Sequence, residues 1–155
     1  MGKKKEIGLS VLAQNRKARF NYFLSDFLEV GIELKGTEIK SLRKSGAILS
    51  DAYVTFRKNE AYITNMHIAE YEQGNIFNHE PLRTRKLLMH KIEIRKYQSF
   101  IQEKGFTILP TKLYLREGKA KLEIALGRGK KLYDKRETIK QRDVERDIRK
   151  ANKNY

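Results

Sequence analysis

Leu28, Val30, Ile32 and Leu34 alternate with Glu29, Gly31, Glu33 and Lys35. A period of two sends one face of a strand into a core and the other into water. The apolar stretches Tyr53–Phe56 and Ala61–Ile68 flank Arg57-Lys58-Asn59-Glu60, a hairpin turn by composition. Lys112–Leu115 and Ala120–Leu126 flank Arg116-Glu117-Gly118-Lys119 in the same way. In the second of these strands Ala120, Leu122, Ile124 and Leu126 face one way, and Lys119, Lys121 and Glu123 the other. Two stretches carry helical spacing instead. Thr37 is placed to N-cap Glu38–Lys44, with Ile39 and Leu42 on one side and Gly46 just past the end. Leu87–Lys104 has Ile94, Tyr97 and Ile101 on one face and Gly105 as its stop. About six short strands joined by local hairpins, with two helices, predict a mainly β fold with short helices. A closed antiparallel barrel of OB-like form is the first expectation, an SH3-like barrel the second.

The apolar pattern fades near Gly127. Of the 155 residues, 1–126 carry 23 Lys and Arg against 14 Asp and Glu, and 127–155 carry 11 against 5. The second part has only Leu132, Tyr133, Ile139, Val144, Ile148, Ala151 and Tyr155 as apolar or aromatic residues. The chain therefore divides into an OB-like head, 1–126, with residues 1–12 flexible, and a basic tail, 127–155, joined at Gly127-Arg128-Gly129. In the tail, Asp134 and Glu137 have the spacing of a capping box, and Val144, Ile148, Ala151 and Tyr155 make one narrow helical stripe. So weak a stripe cannot dock firmly on the head, and an isolated helix of this length is marginal in water. The tail is expected to be disordered alone and helical when bound to a polyanionic surface.

Net charge is +15, an excess no fold requires, so it points to a polyanionic partner. Cysteine is absent, which removes disulfides and thiolate chemistry. No apolar run approaches the length of a membrane span, and Met1–Ser10 lacks the hydrophobic stretch of a signal peptide, so a cytoplasmic protein is expected.

An enzyme would need a recognisable constellation. His67, His79 and His90 are too widely spaced for a zinc pair on one element, and no phosphate-binding or nucleophile-elbow motif occurs. Glu38-Ile39-Lys40 matches half of a nuclease pattern but falls on a predicted helix, where that pattern needs a strand. No catalytic residue, metal or cofactor is therefore expected, and binding remains. Basic clusters lie at Lys3-Lys4-Lys5, at Asn15, Arg16, Lys17 and Arg19, at Lys40–Lys44 with Arg43, and at Arg83, Arg85 and Lys86, besides the tail. Cations placed on phosphates release counterions, giving salt-sensitive affinity for any nucleic acid. Phe20, Tyr22, Phe23, Tyr71 and Phe77 lie near these clusters and are candidates for stacking on unpaired bases.

Four separated motifs occur in order: Gly36-Thr37-Glu38-Ile39-Lys40-Ser41-Leu42-Arg43, Asp51-Ala52-Tyr53, Pro81-Leu82-Arg83-Thr84-Arg85-Lys86-Leu87-Leu88, and Gly129-Lys130-Lys131-Leu132-Tyr133-Asp134-Lys135-Arg136. Together, from about Ala13 to Arg142, they resemble the SmpB family, the SsrA-binding proteins of bacterial trans-translation. The resemblance implies an OB-like barrel and a non-enzymatic partner of tmRNA, monomeric when free. Such a partner binds the tRNA-like domain and brings it to ribosomes stalled on messages without a stop codon. It places the RNA-binding face at Asn15, Arg16, Lys17, Arg19 and Glu29, with Leu88 and His90 as further contacts. It places Gly129, Lys130, Lys131, Tyr133, Asp134, Lys135 and Arg136, with Lys140 and Arg142 beyond, in the decoding region and empty mRNA channel of the small subunit. An acidic residue on an RNA face makes sense as an acceptor for base amino groups or a 2′-hydroxyl. Two other readings stay open: a translation-factor or ribosomal OB module on ribosomal RNA, and an RNA-processing nuclease.

Overall fold

The computed structural model describes residues 9–73 and 78–130. Among them the strands are β1 (Leu9–Gln14), β2 (Tyr22–Ile32), β3 (Ala47–Ile48), β4 (Tyr53–Arg57), β5 (Glu60–Thr64), β6 (His67–Ile68), β7 (Arg85–Leu88), β8 (Phe106–Arg116) and β9 (Lys119–Gly129). The helices are α1 (Arg16–Asn21), α2 (Gly36–Ser45) and α3 (Lys91–Phe100). The fold is mainly β with short helices, as the alternation predicted.

Both hairpins form, for a local reason. Lys58 and Asn59 at one turn, and Glu117 and Gly118 at the other, all have positive φ. Two such residues in succession give the turn whose twist matches paired strands. The registers Arg57↔Glu60 and Arg116↔Lys119 follow from these two-residue loops. The inward alternation of β9 (Leu122, Ile124, Leu126) meets Val30 and Ile32 of β2, Ile108 and Leu113 of β8, and Leu42, Ile94 and Tyr97 of the helices in one core.

The sheet is open, which corrects the expected closed barrel. Its order is β1-β8-β9-β2-β7-β5-β4, all antiparallel, with β3 and β6 forming a separate pair. β4 curls back to approach β8 without a backbone ladder between them. Closure would need β1 to pair with β4, but the α2–β3 corner occupies that side of β1. A Cβ on Gly46 would stand 2.6 Å from the Leu12 carbonyl oxygen, and Gly46 has φ +71°, so only glycine makes this corner.

Several boundaries also differ. Residues 9–12 belong to β1, and the rest of the segment expected to be flexible, 1–8, lies outside the described residues. The helix expected from Leu87 begins at Lys91, because Arg85 and Leu87 are buried alternately with Lys86 and Leu88 in β7. Its start is set by Glu93, whose carboxylate accepts the His90 N–H at 3.0 Å. At α2 the capping position is Lys35, whose N–H donates to Glu38 Oε1 at 2.7 Å, while Thr37 Oγ1 bonds His79 Nδ1 at 2.9 Å. The stretch Ala61–Ile68 is broken after Thr64 by Asn65, at φ 63°, so that β6 can pair with β3. Gly127-Arg128-Gly129, the composition joint, forms the last three positions of β9, opposite Leu24, Phe23 and Tyr22.

Candidate nucleic-acid interface

The outward faces of β2, β9 and β8 carry one connected group. Glu29 lies opposite Glu123, which lies opposite Lys112. Glu29 Oε1 accepts from the Tyr114 hydroxyl and from Arg116 Nε at 3.0 Å. These bonds, the Tyr114 one first, hold the Glu29 carboxyl below the usual carboxylate range, and burial together with Glu29 pushes the Tyr114 hydroxyl well up. Lys112 and Arg116 place their cations 5.7 and 5.8 Å from the Tyr114 ring centre. Among the described residues no hydrogen bond reaches Glu29 Oε2, so a charged, pre-oriented acceptor remains for a ligand.

Gly31, two residues on, sits opposite Leu88 of β7. A Cβ there would come within 3.0 Å of the Leu88 Cβ, so glycine is what lets the leucine cover this spot. Leu88 is half exposed and His90 exposed. Gly31, Leu88, Lys119 and Lys121 line one open depression of about 610 Å³. The structure thus brings Glu29 and Leu88 onto one surface and adds Arg116, Lys119 and Lys121, which sequence reasoning left out of the site. The alternation of Lys119, Lys121 and Glu123 was the available signal.

A second basic surface surrounds α1. Asn15 does not offer its side chain to a ligand: it is buried, its Nδ2 donates to Pro110 O (2.8 Å) and Leu49 O (3.2 Å), and its Oδ1 caps Ala18 N. It anchors the helix to the bulge in β8, leaving Arg16, Lys17 and Arg19 exposed with Phe20. Phe23 carries the cations of Arg128 and Lys130 at 5.1 and 4.9 Å from its ring centre, so the first two cations of the basic segment meet an exposed aromatic of the head.

The Arg83-Arg85-Lys86 cluster divides. Arg85 is fully buried: its Nε bonds Glu38 Oε2, and its Nη atoms bond Met66 O and Pro81 O at 2.6 and 3.1 Å. Arg83 Nη2 reaches Glu38 Oε1 at 2.6 Å. Burial alone would raise the Glu38 pKa, but the bonds from Arg83, Lys35 N–H and Arg85 outweigh it and hold it low; burial pulls the Arg85 pKa down. Arg85 is therefore a core residue and no surface contact, and the engaged Glu38 carboxylate cannot serve as a nuclease metal ligand. Lys86 pairs with Glu60 at 3.1 Å, which raises the lysine pKa. Lys40 and Arg43 are exposed on α2, Lys40 Nζ lying 5.7 Å from the Tyr71 ring centre. Gly129 is buried in β9, its N–H donating to Gly105 O at 3.0 Å. Phe77, the Lys3-Lys4-Lys5 cluster, and the tail positions Lys131, Tyr133, Asp134, Lys135, Arg136, Lys140 and Arg142 lie outside the described residues.

Fold and surfaces define a small, mainly β, strongly basic protein that displays its cations around exposed aromatic and apolar side chains. The model of the SmpB protein family matches residues 12–154, and the chain belongs to that family. The SsrA-binding protein of Caldicellulosiruptor bescii is 50% identical over 153 residues, covering 99% of this chain and 97% of its own length. That of Staphylococcus epidermidis is 52% identical over 151 residues, covering 97% of each. Among solved structures, a chain described as "tmRNA-SmpB: a journey to the center of the bacterial ribosome" superposes with a TM-score of 0.66 at 43% identity, covering 76% of this chain and 83% of that one.

Proposed function

We propose that this protein binds the tRNA-like domain of tmRNA and delivers it to stalled ribosomes for trans-translation, acting in the cytoplasm as an adaptor and not as an enzyme. The observation that carries the reading is the outward surface on which Glu29 and Leu88 stand beside Arg116, Lys119 and Lys121, with His90 in the adjoining pocket that Leu88 also lines. An oriented carboxylate, an exposed leucine and flanking cations suit a folded RNA recognised by shape and 2′-hydroxyls more than any duplex read along a groove. The four motifs shared with the family, and the close relatives named SsrA-binding protein, support the same partner. In this reading the head makes the RNA contact, and the tail, with Lys130, Lys131, Tyr133, Asp134, Lys135, Arg136, Lys140 and Arg142, lies in the decoding region and the empty mRNA channel.

Competition binding tests it. A labelled acceptor-and-elbow fragment of tmRNA is displaced by itself, by bulk tRNA and by duplex RNA of equal length. The tmRNA fragment competes best. Equal competition by all three removes the specific claim and leaves a general RNA binder.

A further inference from the structure

The Asp51-Ala52-Tyr53 motif takes no part in the surface just described. It borders a separate cleft of about 390 Å³ between α1, the adjoining ends of β8 and β9, and the β3–β4 connection. Ala52 is buried and its N–H donates to Leu49 O at 3.0 Å, a turn that leaves Asp51 and Tyr53 exposed on either side. Tyr22 forms another part of the lining; a Cβ on Gly127 would lie 3.2 Å from its Cδ1 and 2.9 Å from Leu109 Cδ1, so this glycine keeps the β9 side of the sheet open to the ring. We propose that this cleft binds one unpaired guanine nucleotide of an RNA, a second RNA site beside the point where the tail leaves the head.

The chemistry follows from what lines it. The volume suits a single nucleotide, and Tyr22 and Tyr53 present rings on which a base stacks. Asp51 is 78% exposed, and its one polar contact among the described residues is a loose 3.8 Å approach of Lys17 Nζ, itself 57% exposed. A carboxylate offers two acceptors side by side. The Watson–Crick edge of guanine offers two matching donors, N1–H and N2–H. Adenine and cytosine set an acceptor beside their single amino group, and uracil flanks its one N–H with two carbonyls, so each turns a lone pair toward the carboxylate. Asn21, on the same cleft, supplies an amide for guanine O6, and Lys17 swings from its weak contact to the nucleotide's phosphate. The proposal rests on the RNA-binding reading but not on the identity of the RNA.

The test uses the full chain, isotopically labelled, titrated with the pentanucleotides UUGUU and UUAUU. Amide signals of Asn21, Asp51, Tyr53 and Gly129 shift, and UUGUU binds about tenfold tighter, the size of one bidentate base contact. Asp51→Asn turns a donor toward guanine and abolishes that preference; the substitution is at an exposed position, and the unchanged remainder of the spectrum reports that the fold is intact. Equal affinities for the two oligonucleotides, a preference that survives Asp51→Asn, or shifts confined to the Glu29 surface each overturn the proposal. Chemical modification of guanine N1 and N2, in the tRNA-like fragment and separately in small ribosomal subunits, finds the source as one guanine protected by the protein and released by Asp51→Asn; protection in neither RNA overturns the site. Failure of the adaptor reading shows elsewhere, in the tmRNA competition with the unaltered protein.

Discussion

Replacing Glu38 by Gln tests whether Arg85 holds the fold or touches RNA. The carboxylate receives Lys35 N–H at 2.7 Å, Arg83 Nη2 at 2.6 Å and Arg85 Nε, and neither Glu38 nor Arg85 exposes any side-chain surface. Glutamine keeps the shape but removes the charge and turns an N–H toward a guanidinium. Arginine stays protonated in proteins, so Arg85 is left as a buried cation without its counterion. Removing one partner of a buried pair costs about 3–5 kcal/mol, against a total stability of about 5–15 kcal/mol for a domain. Urea unfolding at neutral pH is the assay, applied also to the singles Glu38→Met and Arg85→Met and to the double variant that combines them. The double variant is less damaged than the sum of the singles by at least about 2 kcal/mol, because it leaves no fully buried charge unpaired, Arg83 being 27% exposed to water. The pH dependence has a definite direction. The folded-state pKa of Glu38 is held below its unfolded value. Its contribution is therefore fully present above the ordinary glutamate pKa of about 4.3 and is lost as pH falls through the lower folded value. A Glu38→Gln cost under about 1 kcal/mol would refute this account. So would Arg85→Met weakening RNA binding at unchanged stability.

Glu29→Gln keeps the size of a residue whose side chain is 36% exposed, so it should lower affinity for the tmRNA fragment about tenfold, measured by fluorescence anisotropy, while the unfolding midpoint barely moves. Gly31→Val drives a side chain against Leu88, and is expected to cost about 1–3 kcal/mol in unfolding and to weaken the same RNA contact; unaltered binding would place the RNA elsewhere. Exposed Arg16, Lys17 and Arg19 each replaced by Ala should reduce the slope of log affinity against log salt by about 1, with no change counting against phosphate contacts on α1. Truncation after Lys130, which keeps β9 whole, should leave a folded, tmRNA-binding head that fails to rescue stalled ribosomes in a translation assay; an unfolded product would argue against the division into head and tail.

Local pattern was enough wherever a few neighbouring residues decide the outcome. The two hairpins are written in Lys58-Asn59 and Glu117-Gly118, and the inward row Leu122, Ile124, Leu126 needed only a period of two. The four motifs likewise identify the family without reference to the tertiary structure. Where partners come from distant segments, pattern misled. Leu87 fits a helical stripe as well as a strand, and its place in β7 is settled by pairing with Ala61 and Ile32. Arg85 reads as one more surface cation, yet Glu38 stands 47 positions away and draws it into the core. Asn15 was legible as a polar residue beside cations, but Pro110 and Leu49, which consume its amide, are not its neighbours in sequence. The open sheet edge and the cleft beside Asp51 are decided in the same way, by which strands and turns meet across the fold. Sequence carries the short-range preferences of the backbone and the sum of its charges, whereas burial and pairing between remote segments are properties of the packed chain and determine which of those charges remain available to a partner.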